Sequence, residues 1–420
     1  VLSGVEAFKL NDTFGFPLDL TREIAAEAGF AVDEAAFHIE MTKQRERARA
    51  ERLAKDISGW SADLFGELTA EPTRFDGYET LSEKAKVLAL SDGEELVDAI
   101  ATDEAGEAKD GVLVVLDRTP FYAEMGGQVA DHGYLVSGDA KLKVTQVKKT
   151  PKGYFVHTCE LLDGTIHVDD EVTASVDEKR RAAICRNHTA THLLQKALRE
   201  VLGEHVHQAG SYQDDQITHF DFTHFSAVSP AELAEVERRV NEKIYEALPV
   251  TVKNLPIEEA KKMGAMALFG EKYGSVVRVV DAGGWSTEFC GGTHVTNTAQ
   301  IGCFKILSES SVAAGIRRIE ATTAFGVLDL LDDRTEILAK TAVALKANNL
   351  KDAPARAEAL AAELKETAKQ LEILKAQMAA AKIDGLFENA ADIDGVRIVS
   401  AYLTGTGADT LRDMVDKVRD

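Results

Sequence analysis

The stretch N-H-T-A-T-H-L-L, residues 187–194, carries two histidines four positions apart. In a helix this spacing places His188 and His192 on the same face, one turn apart. Zinc-binding helices use the same spacing in the motif H-E-x-x-H, where the glutamate is the general base of a metalloprotease. Here Thr189 stands in the position of that glutamate, and no acidic residue lies between the histidines. The stretch predicts a helix that can supply two metal ligands, and it argues against a zinc peptidase.

A second pair of candidate ligands lies about a hundred residues downstream, in F-C-G-G-T-H-V at 289–295. Cys290 and His294 are separated by two glycines and a threonine, which predicts a tight loop that folds a thiolate and an imidazole onto one ion. Three imidazoles and one thiolate suit tetrahedral zinc. Either pair alone is typical of ordinary packed or surface residues, but both together favour one zinc site.

The chain is strongly acidic, with a net charge of −22 over 420 residues. This charge argues against a bulk electrostatic contact with nucleic acid, but local basic patches remain. One is E-K-R-R-A-A-I-C-R at 178–186, and another is R-R at 317–318. Solvated surface arginines are an equally good interpretation of both patches from the residues alone.

Cysteine usage and hydropathy predict a cytoplasmic protein with no membrane partner. The cysteines at 159, 185, 290 and 303 form no C-x-x-C pair, which is typical of a reducing compartment. No apolar run approaches the roughly 20 residues that a transmembrane helix needs. Because the chain starts at Val1 and its last strand–helix pattern is unfinished, we expect it to be part of a longer protein.

The patterns along the chain predict a multidomain α+β protein in five segments. Alternating apolar residues from K-V-L-A-L at 86–90 to I-H-V at 166–168, broken by glycine and aspartate turns, are typical of a small β-barrel. The segments are a helical region at 1–84, the barrel at 85–180, a metal-binding α+β core at 181–325, a helical hairpin at 326–385 and the start of an α/β unit at 386–420.

Helix ends and a heptad pattern refine this organisation. Gly203 is expected to end the histidine helix, and Ser229 with Glu232 forms a capping box before another helix. Residues from Leu360 to Met378 repeat in 4-3 spacing, which predicts that this helix packs against the preceding one, between about 327 and 350. A strand near 395–405 and a helix after 408 would open the last unit.

Several motifs together resemble the alanyl-tRNA synthetase family. Its editing domain is similar to N-H-T-A-T-H-L-L, H-V-H-Q-A-G-S, E-F-C-G-G-T-H-V and A-A-G-I-R-R-I-E-A, and to D-R-T-P-F-Y-A-E-M-G-G-Q-V-A-D at 117–131, where Met125 replaces an expected small residue. The stretch from Leu2 to Thr21 resembles the helical end of the aminoacylation domain, with Asn11 in place of an expected tyrosine. The resemblance follows the whole chain in order.

The resemblance implies a fragment whose core is a zinc-containing editing domain. The parent protein would attach alanine to tRNA(Ala) with ATP and Mg²⁺, in an aminoacylation core that lies outside this chain. The fragment would hydrolyse tRNA(Ala) mischarged with serine or glycine, bind the acceptor end of the tRNA, and belong to a parent that forms a homodimer through its C-terminal region. One zinc ion would be held by His188, His192, Cys290 and His294.

The resemblance also implies roles for individual residues. Thr191, Gln208 and Cys290 would act at the catalytic site, since a hydroxyl and an amide can sense a seryl hydroxyl. Asp12 would contact the wobble pair of the acceptor stem, and the phosphates would meet three arginines, Arg186, Arg317 and Arg318. For Thr191 the alternative is a hydrogen bond back to a helix carbonyl, and for Asp12 it is a helix cap.

A different class of function fits many of the same residues. The fragment could be a zinc-stabilised scaffold for tRNA binding and dimerisation, without activity, because four protein ligands would leave no open position on the metal. Release of serine from seryl-tRNA distinguishes this scaffold from an editing hydrolase.

Overall fold

The computed structural model describes residues 1–14, 16, 18–34, 36–37, 41, 64–102, 108–263, 274–387, 390–400, 402, 412 and 415. They divide into two compact units, Val1–Leu328 and Asp329–Asp420. Part of the helical region predicted at 1–84, and most of the helix predicted after residue 408, lie outside the described residues.

The first unit begins with two helices, α1 (Gly4–Phe14) and α2 (Leu18–Glu27). Helix α1 starts with Ser3, whose hydroxyl accepts a hydrogen bond from the Glu6 amide at 3.3 Å and donates one to the Glu6 carboxylate at 2.8 Å. This reciprocal pairing satisfies backbone donors that the first turn of a helix leaves free.

A six-stranded antiparallel barrel follows, which confirms the predicted barrel. The strands are β2 (Ser82–Ser91), β5 (Lys109–Leu116), β7 (Gly133–Ser137), β8 (Ala140–Lys149), β9 (Phe155–Asp163) and β11 (Glu171–Val176). Their order is β2-β5-β9-β8-β7-β11, and β11 pairs back onto β2 to close the barrel. Alternate residues of each strand point inward, so the apolar alternation in the sequence becomes a buried core.

Short strands extend the barrel at its edges. Strand β3 (Leu96–Val97) pairs with β2, β1 (Arg74–Phe75) pairs with β6 (Arg118–Thr119), and β4 (Ala99–Ala101) pairs with β10 (Thr165–His167). Within the barrel core, His157 is fully buried between the Thr119 hydroxyl and the Val114 carbonyl, at 2.8 and 3.0 Å.

The remainder of the first unit is an α+β core built around helix α3 (Glu178–Leu202), which carries both predicted histidines. Asp177 caps its start, and Gly203 ends it as predicted. One antiparallel sheet has the order β12-β13-β18-β17, and a second has the order β14-β15-β16. The strands are β12 (Gln208–Gln213), β13 (Thr218–Thr223), β14 (Val250–Pro256), β15 (Val276–Ala282), β16 (Ser286–Phe289), β17 (Phe304–Ala313) and β18 (Ile316–Thr323).

Two further helices complete this core, α4 (Pro230–Tyr245) and α5 (Ile257–Lys262). The predicted capping box is present at the start of α4. The Ser229 hydroxyl accepts from the Glu232 amide, and the Glu232 carboxylate accepts from the Ser229 amide. Buried apolar residues of α3, α4 and the four-stranded sheet form one continuous core, which fixes the orientation of the histidine helix.

A buried ion pair joins the barrel to helix α3. The guanidinium of Arg181 and the carboxylate of Asp131 are both almost completely buried and in direct contact. Arg181 also donates to the carbonyls of Gly77 and Pro120, at 2.7 and 2.9 Å. The Asp131 carboxylate accepts from the Tyr122 amide at 2.7 Å. Because these partners lie in the connection before β2 and in the connection between β6 and β7, the pair holds the start of α3 against the barrel segment.

The second unit contains most of α6 (Phe325–Ala344), all of α7 (Ala353–Phe387) and a hairpin of β19 (Ala391–Ile393) and β20 (Val396–Ile398). Ala342 and Ala353 are buried at the connection between the two helices. The heptad seam farther along α7 is exposed, by 72% at Leu364 and 63% at Met378. The predicted packing of this seam against the preceding helix is therefore wrong for the described residues. A heptad specifies an apolar stripe but not its partner.

Candidate metal centre and adjoining cavity

The four predicted ligands come together at the junction of helix α3 and the loop after β16. Their ligand atoms all lie within 4.8 Å of one another. The Cys290 sulfur is 3.3 Å from Nε2 of His188 and 3.3 Å from Nε2 of His294. The rings of His188 and His192 are stacked at 5.4 Å, as expected for neighbours one helical turn apart. The arrangement brings three imidazoles and one thiol to a single point.

Each imidazole is oriented by another side chain through its Nδ1 atom. His188 donates to Gln128 Oε1 at 2.9 Å, His192 to Glu288 Oε2 at 2.5 Å, and His294 to Thr189 Oγ1 at 3.1 Å. These bonds leave all three Nε2 atoms facing the shared centre, which is how metal-binding histidines are usually held.

One further observation supports the fit of these residues to a metal ion. Nε2 of His192 is buried and has no hydrogen-bond partner among the described residues. An unpaired buried nitrogen is costly, whereas a cation at the shared centre would accept its lone pair. The donor set of three nitrogens and one sulfur therefore fits a metal ion.

Electrostatics favour the metal-binding form of the cysteine. Burial by itself raises the pKa of the Cys290 thiol, but the adjacent His188, His294 and His192 outweigh burial and hold this pKa well below its ordinary value. Burial lowers the pKa of His294 to about 3, which favours its neutral form. The opposite holds at His192, where burial is outweighed by the charges of Glu288 and Cys290, which raise the pKa to about 10. Thiolate and neutral imidazole are the species that coordinate metals.

The loop that carries Cys290 is held by its backbone carbonyls. Tyr78 donates its hydroxyl to the Gly291 carbonyl at 2.5 Å, and Arg278 donates to the carbonyls of Cys290 and Gly292, each at 2.8 Å. The Arg278 guanidinium also stacks over the Tyr78 ring, 4.1 Å from its centroid. Two side chains thus fix three successive carbonyls of the loop.

Gly292 is required by close packing in this loop. A Cβ atom at this position would lie 2.0 Å from Cε1 of His188 and 2.9 Å from Oε1 of Gln128. Any side chain would displace either the ligand or the residue that orients it. Of the two glycines of F-C-G-G-T-H-V, Gly292 therefore allows the predicted close approach of the loop to helix α3, whereas a Cβ atom at Gly291 would meet nothing within 4 Å.

A small cavity of about 30 Å³ adjoins the metal cluster. Its lining includes His188, His192, Cys290, Thr191 and Gln208. This space holds a group about the size of a water molecule or a hydroxymethyl, and it excludes bulky side chains. Thr191 and Gln208, predicted from the resemblance, are thus placed at the same cavity as the ligands.

Both of these polar side chains already have protein partners. The Thr191 hydroxyl donates to the Asn187 carbonyl at 2.8 Å and lies 2.7 Å from the Thr218 hydroxyl. Thr191 therefore makes the hydrogen bond back to a helix carbonyl that was the alternative to its role at the catalytic site. Gln208 donates from Nε2 to Ser211 Oγ at 3.0 Å.

The predicted tRNA contacts have different surroundings. Arg317 is ion-paired with Glu309 and Arg318 with Asp221, at 2.5 and 2.7 Å, so both guanidiniums have carboxylate partners. Arg186 lines a separate cavity of about 760 Å³, and its buried Nε has no hydrogen-bond partner among the described residues. Asp12 lies in α1, but its side chain is outside the described part of the chain.

Sequence reasoning missed the residues that orient the ligands, chiefly Gln128 and Glu288. Gln128 is fully buried, and its Oε1 also accepts from the Thr293 amide at 2.8 Å, so it joins the barrel segment to the metal loop. Glu288 is two residues before Cys290 in strand β16, and it is 4% exposed. An acidic residue two positions before a candidate ligand was the available signal for Glu288.

Two stretches of the chain match known protein families, and several curated relatives match the whole chain. Residues 1–180 match the family of class II (A) tRNA synthetases, and residues 277–320 match the second additional domain of threonyl and alanyl tRNA synthetases. Alanine–tRNA ligases of Shouchella clausii, Bacillus cereus and Acetivibrio thermocellus are each 45% identical to this chain. These matches cover all of the chain and 47% of each relative.

Within the described residues, no helix has the length and apolar character needed to cross a membrane. The chain spans about half the length of the curated relatives it matches. Residues 1–180 are similar to class II tRNA synthetases and residues 277–320 to the second additional domain of threonyl and alanyl tRNA synthetases, and over its whole length the chain is similar to part of an alanine–tRNA ligase.

Proposed function

We propose that this chain is part of an alanine–tRNA ligase and that its metal cluster and adjoining cavity hydrolyse mischarged Ser-tRNA(Ala) and Gly-tRNA(Ala). The parent protein would attach alanine to tRNA(Ala) with ATP and Mg²⁺. The observation that carries the proposal is a cavity of about 30 Å³ bordered by three of the four candidate ligands (His188, His192 and Cys290), Thr191 and Gln208. A cavity of this size suits the side chain of serine or glycine and no larger one.

The need for such an activity follows from binding energetics. A pocket that binds alanine differs by one methyl group from glycine and by one hydroxyl from serine. Differences of this size give only about 10–200-fold discrimination. A second site that hydrolyses the wrong ester supplies the remaining accuracy.

We further propose that the metal is zinc, because an N₃S donor set at one buried point is typical of it. When bound, zinc would supply a fixed positive charge beside the aminoacyl ester. Glu288 would hold His192, and Gln128 would hold His188, in the orientation that metal binding requires. The Tyr78–Arg278 pair would keep Cys290 and its loop in place.

The substrate itself would meet the polar wall of the cavity. Thr191 and Gln208 line the cavity and would contact the seryl hydroxyl. The acceptor end of tRNA(Ala) would enter from the surface. Hydrolysis of an aminoacyl ester is easier than that of a peptide, so a positioned water and electrostatic help would suffice. This accords with a site that lacks the glutamate of H-E-x-x-H.

A second candidate function is a zinc-stabilised tRNA-binding and dimerisation scaffold without activity. Four protein ligands at one point favour it, because they would leave no open position on the metal. The exposed apolar seam of α7 also suits contact with another chain.

Serine release from Ser-tRNA(Ala) by the zinc-loaded chain distinguishes the two functions, with Cys290→Ala as the matched variant. The proposal expects release by the unmodified chain and loss of most of it in Cys290→Ala, since losing the thiolate loosens both metal and loop. The scaffold expects no release above the spontaneous rate from either protein.

A further inference from the structure

Gln213 is a fully buried residue whose side-chain amide has no partner. It is the last residue of strand β12, and its exposed fraction is 0%. Within the described part of the chain, neither Nε2 nor Oε1 has a hydrogen-bond partner. Buried polar groups are paired in the great majority of cases, because an unpaired one keeps its full cost of desolvation. Among the described residues, folding alone therefore leaves the side-chain amide of Gln213 without a hydrogen-bond partner.

The backbone on both sides of this amide is firmly held. The Gln213 amide N–H donates to the Gly127 carbonyl at 2.8 Å, and the Gln213 carbonyl accepts from Val129 at 3.1 Å. Gln213 also pairs with Thr218 in the sheet. The main chain is thus fixed between the barrel segment and the sheet, so it cannot readily shift to bring the amide to another partner.

The Gln213 side chain lines the 30 Å³ cavity beside the metal cluster. The two residues predicted to sense the seryl hydroxyl already have hydrogen-bond partners in the protein. Thr191 bonds to Asn187 and Thr218, and Gln208 bonds to Ser211. Gln213 differs from them because both its donor and its acceptor are unused. Its unused donor and acceptor are therefore free to bind a ligand in this cavity.

We propose that Gln213 recognises the side-chain hydroxyl of the seryl ester, a specificity-determining role that rests on the proposed function. A hydroxyl donates one hydrogen bond and accepts others, and an amide offers both complementary groups. The methyl group of alanine would fill the same space and leave the amide unpaired. An amide left unpaired beside a methyl group rejects alanine far more strongly than an apolar pocket can. With glycine, the cavity keeps room for a water molecule that pairs with the amide.

The test is deacylation by Gln213→Met, which keeps the length of the side chain and removes both polar atoms. Ser-tRNA(Ala) hydrolysis by the zinc-loaded chain should fall about 10-fold or more, because the hydroxyl loses its partner. Gly-tRNA(Ala) hydrolysis should stay within about twofold, because glycine has no hydroxyl. Equal losses on both substrates would overturn the role of Gln213 and leave the proposed function standing. No hydrolysis of either ester by the unmodified chain would remove both.

Thermal unfolding of two matched variants separates recognition from a structural role. Gln128 is also fully buried, but its amide bonds to His188 and to Thr293. Gln128→Met should therefore lower Tm, whereas Gln213→Met should leave Tm unchanged or raise it, since it removes unpaired polar atoms. A drop in Tm for Gln213→Met as large as that for Gln128→Met would mean that the fold itself satisfies the amide, and would overturn the proposal.

Discussion

Replacing Asp131 with asparagine tests how the barrel segment is joined to the helix that carries the metal ligands. Arg181 and Asp131 have side chains that are 5% and 1% exposed, so neither charge is screened by water. Asparagine is close to aspartate in shape and can still accept from the Tyr122 amide. The substitution therefore removes the negative charge and little else.

The size of the effect follows from what the variant leaves behind. Arg181 would keep its bonds to the Gly77 and Pro120 carbonyls but would remain a buried cation without a counter-charge. Removing one partner of a buried ion pair typically costs about 3–5 kcal/mol. We expect Asp131→Asn to lower the free energy of unfolding of the first unit by about this amount.

A double-mutant cycle measured by urea unfolding checks the reasoning. Arg181→Met alone should also destabilise, because it leaves the Asp131 carboxylate unpaired. The double variant should lose clearly less than the sum of the single losses, since neither charge is then left alone. A loss below about 1 kcal/mol in Asp131→Asn, or strict additivity in the double variant, would refute a tightly coupled buried pair.

Three further predictions concern the metal, pH and RNA. Metal analysis should find about one zinc per chain and clearly less in His192→Ala; unchanged content would mean that the ligand set is wrong. Burial lowers the pKa of His157 to about 4, below its ordinary 6.5, so stability should be complete above pH 6.5 and fall by up to about 3 kcal/mol towards pH 4. Unfolding of His157→Gln should show a shallower pH dependence, and an equal slope would count against this. Arg186→Gln should weaken tRNA(Ala) binding severalfold at low salt, while the exposed control Arg238→Gln should not; equal effects would indicate a general charge effect.

The cluster of four candidate ligands was predictable because each pair is local in sequence. The period of the helix places His188 and His192 on one face, and Gly292 indicates the close approach of the loop that carries Cys290. The barrel was predictable for a similar reason, since alternation with a period of two reports one buried face of each strand. Such local rules need no knowledge of how distant segments meet.

The residues that orient the ligands depend on packing between distant segments. Gln128 lies 60 positions before His188, and Glu288 lies 96 positions after His192. No spacing rule connects them, because the barrel segment and strand β16 reach helix α3 only in the folded unit. The same holds for the unpaired amide of Gln213.

Register in the sheets also decided which arginines have partners. The R-R pair at 317–318 looked like a phosphate-binding patch, but β18 places Arg318 opposite Asp221 of β13. Arg317 reaches Glu309 on the neighbouring strand β17. Charge patterns along one segment do not reveal such cross-strand pairs, so the role of these arginines in tRNA binding stays a prediction.

The most direct test of the proposed function compares ester hydrolysis of Ser-tRNA(Ala) and Ala-tRNA(Ala) at saturating zinc-loaded chain. We expect rapid release of serine and slow release of alanine, because selectivity belongs to the cavity and not to overall tRNA affinity. Thr191→Val, which removes a hydroxyl and leaves the four ligands, should reduce this selectivity with the zinc retained. Equal rates on the two esters by the unmodified chain would contradict the account.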